Sequence, residues 1–103
     1  METRVVVIGL GLFGQEVAVS LSRRGYSVLA VDRHAEPVED IKNRVAQAAV
    51  LDTTDESALR EAKIDEMDVA VCAIGVQHVE NSILTTALLH QFDLPDIIVR
   101  AMR

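Results

Sequence analysis

The stretch "VVVIGLGLFGQEVAVSLSRRG", residues 5–25, decides the fold. Apolar residues Val5 to Ile8 run into Gly9, Gly11 and Gly14, and this G-x-G-x-x-G spacing stands between what reads as a strand and what reads as a helix. Phe13, Val17, Ala18 and Leu21 share one face of that helix, which starts inside the loop, and Gly25 is placed to end it. A strand that turns into a helix through glycines points the helix's free amides at whatever sits in the loop, and phosphate is the natural occupant. Gly9 allows the tight turn, Gly11 lets backbone amides approach a diphosphate, and Gly14 lets the helix lie close to the sheet.

Outward from this loop, short runs rich in β-branched residues alternate with helical patterns. "RVVVIG" (4–9), "SVLAVD" (27–32), "AQAAVL" (46–51), "DVAVCAIG" (68–75) and "DIIVRAM" (96–102) read as strands, apolar almost throughout, as parallel strands covered on both faces are. A second helix is predicted over 36–45, with Pro37 in its first turn and Val38, Ile41 and Val45 as its stripe. A third follows "TTDE", where Thr53 and Glu56 have capping-box spacing, and buries Leu59 and Ala62. A fourth, 79–92, carries Ile83, Leu84, Ala87 and Leu88. Right-handed crossovers make this an α/β protein with a Rossmann-like doubly wound parallel sheet of strand order 3-2-1-4-5, helices on both faces, and a single nucleotide-binding domain over 1–103.

Ligands of such sheets sit at the carboxyl ends of the strands, where the order reverses. Asp32 ends the second strand, eighteen positions after Gly14, and its carboxylate can accept from both ribose hydroxyls of an adenosine. It repels a 2′-phosphate, whereas Arg33 pulls the other way, so NAD or another plain adenine nucleotide is favoured over NADP. Asp52 is either the residue beside the adenine or an ordinary start to the next helix. Ala73, Ile74 and Gly75 end the fourth strand over the site, and Leu12, Phe13 and Thr53 join them as candidate contacts. Asn81 reads as a helix cap or a phosphate contact.

Composition narrows the function. Ten Lys plus Arg against sixteen Asp plus Glu give a net charge of -6, with the cations scattered, which argues against a nucleic-acid or anionic-membrane surface. Cys72 is the only cysteine, so no internal disulfide forms, and "METR" followed by a glycine-broken apolar run is neither a secretory signal nor a membrane span. His34, His78 and His90 lack metal-ligand spacing, and "GLGLFGQ" has no P-loop lysine. No catalytic constellation emerges, and the expectation is a protein that is not an enzyme.

The segments "VVVIGLGLFGQEVAVSLSRRGYSVLAVDRH", "VLDTTDESALREAKIDEMDVAVCAIG" and "ENSILTTALLHQFDLPDIIVRA" resemble the nucleotide-binding lobe of the potassium-transport regulators, the RCK, KTN or TrkA-N family. Dehydrogenases share the glycine loop and Asp32. "DTTDESAL", a strand ending in "AIG" and then "ENSILTTALL" look far more like this family. The resemblance implies a cytoplasmic subunit, peripheral to the membrane through its partner, that binds ATP, ADP or NAD(H) and passes its state to a potassium channel or transporter. It implies Gly9, Gly11 and Gly14 at the phosphates, Asp32 at the ribose, Asp52 near the adenine, Arg100 close to the phosphates, and a homo-oligomer, dimer or higher ring. Leu12 departs from the family, many of whose members have an arginine there that reaches phosphate. The family also usually continues into a second lobe, so the expectation is an excised lobe or a minimal member completed by a partner. The alternative function is the cofactor half of an NAD-dependent oxidoreductase, which needs a catalytic lobe from elsewhere.

Overall fold

The computed structural model describes residues 2–100. Strands β1 (Arg4–Ile8), β2 (Ser27–Asp32), β3 (Gln47–Val50), β4 (Val69–Cys72) and β5 (Asp96–Val99) form one parallel sheet in the order β3-β2-β1-β4-β5. Register runs Val7 beside Ala30 and Val71, Ala30 beside Ala48, and Val71 beside Ile98. Four helices connect the strands: α1 (Leu12–Arg23), α2 (Ala35–Ile41), α3 (Glu56–Glu61) and α4 (Val79–Gln91). Among the described residues none is long and apolar enough to cross a membrane.

Strand side chains alternate between two faces. Val5, Val7, Val28, Ala30 and Val71 look to one side and meet Ala18 and Val19 of α1 and Val38 and Ile41 of α2. Val6, Ile8, Leu29, Val31 and Ala70 look to the other and meet Leu59 of α3 and Leu89 of α4. Coverage on both faces is the reason these strands are apolar without alternation. α1 stops where a left-handed residue is available: Gly25 has φ +95°, its N–H bonds the Ser22 carbonyl, and the Tyr26 N–H bonds that of Leu21, a Schellman closure.

The boundaries differ from the sequence expectation in instructive ways. β4 ends at Cys72 rather than at residue 75, because its neighbour β1 ends at Ile8 and turns at Gly9; the Ala73 N–H makes the last bond, to the Ile8 carbonyl at 2.7 Å. Ala101 and Met102, expected in the last strand, lie outside the described residues. α2 ends at Ile41, not residue 45; the Arg44 N–H closes a turn on the Ile41 carbonyl, and this brings Gln47 beside Leu29 while Val45 still packs on the core. α3 is capped by Asp55, whose carboxylate accepts from the Ser57 and Ala58 N–H groups, so Thr53 and Glu56 form no capping box.

Of the α4 residues singled out from the sequence, Leu88 packs against the core, whereas Ile83 is 60% and Leu84 47% exposed and Ala87 is exposed as well; Ser82, Thr85 and Leu89 are buried. The hydroxyls make this possible. Thr85 Oγ1 meets Thr53 Oγ1 at 2.9 Å and donates to the Thr53 carbonyl at 3.2 Å, while Ser82 Oγ lies 3.7 Å from Cys72 Sγ. Small polar residues with buried partners let the helix lie against the sheet beside Leu89 and leave Ile83 and Leu84 outside. Thr85→Val keeps the shape and removes the partner of Thr53. We expect a loss of about 2 kcal/mol, read as a fall of about 10 °C in thermal melting.

Candidate nucleotide-binding site

The carboxyl ends of the strands open onto one cleft of about 1160 Å3, lined by the β1–α1 loop, the ends of β2 and β3, and the segment after β4. Pockets for small ligands usually hold about 300–1,000 Å3, so there is room here for more than one nucleoside. Gly9, Gly11, Leu12, Phe13, Asp32, Arg33, Asp52, Thr53, Ala73, Ile74, Gly75 and Arg100 all line it. Gly14 does not; it lies behind the loop, where a Cβ would come within 1.8 Å of the Gly9 carbonyl oxygen. Gly9 itself has φ +94°, and its N–H bonds the Val31 carbonyl at 2.9 Å, which fixes the turn against β2.

Between these glycines the Leu10 peptide is held from both ends. Its N–H donates to Asp32 Oδ2 at 2.7 Å, its carbonyl accepts from Gln15 Nε2 at 2.9 Å, and its side chain is buried. Beyond the clamp, Gly11 caps α1 with no side-chain partner, and α1 has no acidic residue in its first turn. Its first amides are therefore open donors at the positive end of the helix dipole. A Cβ on Gly11 would meet no heavy atom within 4 Å. That free space beside open amides is the cradle a diphosphate needs, and the loop fits one.

On the β2 side of the loop, Asp32 Oδ1 accepts from the His34 N–H at 2.9 Å and faces His34 Nδ1 at 3.3 Å. Asp52 is exposed; its Oδ1 accepts from Thr54 Oγ1 at 2.6 Å and from the Thr54 N–H at 2.9 Å. The Thr54 hydroxyl bond first, then its N–H bond, and Arg33 beyond them hold this carboxyl below the usual carboxylate value against a small opposing effect of burial. It is a fixed anion at the cleft's edge, with its second oxygen available to a donor such as an exocyclic amine. Thr53 lines the same wall with its hydroxyl turned inward to Thr85, and so anchors the loop that carries Asp52.

Across the loop, Ala73 is buried, and Gln77 folds so close to Gly75 that a Cβ there would lie 2.9 Å from Gln77 Oε1. Phe13, one of the candidate contacts, is 44% exposed and lines the cleft, with the Arg100 guanidinium 5.1 Å from its ring centroid. Glu16, His34 and Gln77 also line the cleft, and sequence reasoning had not placed them in the site. His34 carried a usable signal, since an aspartate two residues ahead commonly bonds the N–H at that distance. Glu16 had none beyond its helical position. Among the described residues no group of three or more His, Cys, Asp or Glu is arranged to hold a metal ion, and Cys72 is buried in the sheet.

Comparison with known proteins adds to this geometry. Residues 5–103 match the TrkA-N domain. The Ktr system potassium uptake protein A of Bacillus subtilis is 38% identical over 95 residues, 92% of this chain and 42% of the relative. The Ktr system potassium uptake protein C of the same organism is 35% identical over 101 residues, 98% of this chain and 45% of the relative. The chain thus spans somewhat under half the length of these relatives. Among solved structures, the NAD(P)-binding domain of an exopolyphosphatase-related protein from Archaeoglobus fulgidus superposes with a TM-score of 0.81 at 26% identity, covering 94% of this chain and 71% of that one.

Proposed function

The chain belongs to the TrkA-N domain family, and from that premise we propose that it is the nucleotide-sensing lobe of a potassium uptake system: it binds an adenine nucleotide in the switch-point cleft and transmits the bound state to a membrane transporter or channel subunit from the cytoplasmic side. The observation that carries this reading is the pairing, in one cleft, of open α1 amides beside Gly11 with the Asp32 carboxylate next to the same loop. Those groups match a diphosphate and a ribose. Asp52 is placed to meet the adenine amine.

The lining also bears on which nucleotide. Past the loop stand Leu12, 84% exposed, and the carboxylate of Glu16, with Arg100 held over Phe13. A γ-phosphate there would face an apolar side chain and an acid, whereas a second nucleoside would find Phe13, Gln77 and Asn81. NAD(H) or ADP is therefore the ligand class, ahead of ATP. The oxidoreductase reading requires a substrate and an acid or base at the nicotinamide end. His78 lines that end, so assay for hydride transfer with the bound cofactor separates the two readings: turnover would favour the enzyme.

A sensor acts only if ligands favour one assembly state over another. The exposed face of α4 supplies the contact. Two copies packed antiparallel about a two-fold axis at the level of Thr85 set Glu80 against His90 and Ile83 against Ala87, so that apolar centre and polar ends are both self-complementary. Sedimentation of the chain should give a dimer, and Ile83→Asp a folded monomer. Adding NADH or ATP should then move the wild-type association constant by different amounts. Equal sedimentation of Ile83→Asp and wild type contradicts the α4 contact.

A further inference from the structure

We propose that His34 is a specificity-determining residue of this cleft, setting by its protonation how well Asp32 receives a ribose and how well the site tolerates a 2′-phosphate; the inference rests on the nucleotide reading above. A carboxylate offers about four acceptor positions. Two of those of Asp32 already receive backbone N–H groups, Leu10 on Oδ2 and His34 on Oδ1, and a third faces the His34 ring Nδ1, which donates when it carries a proton. A ribose gripped by both hydroxyls needs two. Two of the three occupants are backbone amides that cannot leave without opening the loop. The third is an imidazole whose side chain is 72% exposed, on a carboxylate only 14% exposed. His34 is the group that must yield.

Its charge state decides how readily it does. As a neutral ring His34 either presents a lone pair to the carboxylate, with the proton on Nε2, or donates an uncharged hydrogen bond from Nδ1, which is the weaker hold. As an imidazolium it donates from Nδ1 and forms an ion pair with Asp32. Protonation therefore opposes the ribose hydroxyls, and affinity for a nucleotide with a free 2′-hydroxyl falls as pH falls. The same protonation neutralises the carboxylate that repels a 2′-phosphate and adds a cation beside Arg33, so the phosphorylated ligand is disfavoured less. The other charged groups on this wall are Glu36 and Asp52, and Glu16, His78 and Arg100 stand elsewhere on the lining. Asp52 is held ionised by Thr54 and Arg33, so it keeps its charge across the same range.

The test is calorimetric titration of the chain with NAD+ and with NADP+ at about pH 8 and about pH 6, the interval histidines span. For wild type, NAD+ affinity should fall about threefold to fivefold toward the lower pH, the scale an exposed ion pair sets. Preference for NAD+ over NADP+ should shrink by about tenfold, two such effects combined. In His34→Asn the preference should be independent of pH apart from the titration of the 2′-phosphate itself, which is common to both proteins. A preference whose pH dependence survives in His34→Asn overturns the assignment to His34 and leaves the nucleotide site standing. Absence of binding by either nucleotide at both pH values overturns the site and this inference with it.

Discussion

Gly14→Ala is expected to abolish the folded state. A Cβ at this position would lie 1.8 Å from the Gly9 carbonyl oxygen and 2.9 Å from its carbon, both backbone atoms of the turn that also bonds β2. No side-chain rotation relieves that overlap; either α1 slides away from the sheet, uncovering Ala18 and Val19, or the Gly9 turn breaks. Overpacking against backbone belongs to the few mechanisms that cost about 4 kcal/mol or more, in a domain whose whole stability is about 5–15 kcal/mol. Circular dichroism melting should show a variant that is unfolded or melts about 20 °C lower. Gly11→Ala is the necessary contrast. Its Cβ meets nothing within 4 Å, so the fold should melt within a few degrees of wild type while the methyl group occupies the space a phosphate would fill. Two glycines of one motif thus separate: one belongs to the fold and one to the ligand.

Asp32→Ala is expected to reduce nucleotide affinity by about 100-fold, the loss of two hydrogen bonds to a charged acceptor at about 1.5 kcal/mol each. The substitution acts on the loop too. Without the carboxylate the Leu10 N–H loses its 2.7 Å partner and the His34 N–H its own, and the clamp on the glycine turn rests on Gln15 alone. A melting temperature lower by about 10 °C should accompany the affinity loss. Gln15→Ala tests the second half of the clamp, with a smaller melting shift and the ribose acceptor intact. If Asp32→Ala retains both affinity and stability, Asp32 neither receives a ribose nor fixes the loop.

The sheet was legible because each strand shows as a short, mostly apolar run between helical patterns, and because right-handed crossovers leave few orders for such a chain. The glycine loop and Asp32 were legible for the same reason: one short segment contains the turn, the helix start and, a strand later, the acid. α4 was legible only in part. Its apolar residues fall on more than one face, and Leu88 and Leu89 do pack on the sheet while Ile83 and Leu84 stay exposed. The burial of Thr85 rests on a hydroxyl pair with Thr53, thirty-two positions apart, which no local pattern reveals. Thr53 was misplaced as a cap by the same long-range bond, since Asp55 supplies the cap once Thr53 turns inward. His34 shows the converse, a local contact that the spacing of aspartate and histidine contains but that matters only because Leu10 occupies the other oxygen.

The proposed function requires that the cleft beside Gly11 and Asp32 hold an adenine nucleotide. Calorimetric titration of the chain with NAD+, NADH, ADP, AMP and ATP, alongside Gly11→Ala shown to be folded by its melting curve, is the decisive experiment. Saturable binding at one site is expected, NAD(H) and ADP ahead of ATP, with loss of that binding in the folded Gly11→Ala variant. A folded wild-type chain that takes up none of the five, or a Gly11→Ala variant that binds them unchanged, would contradict that function.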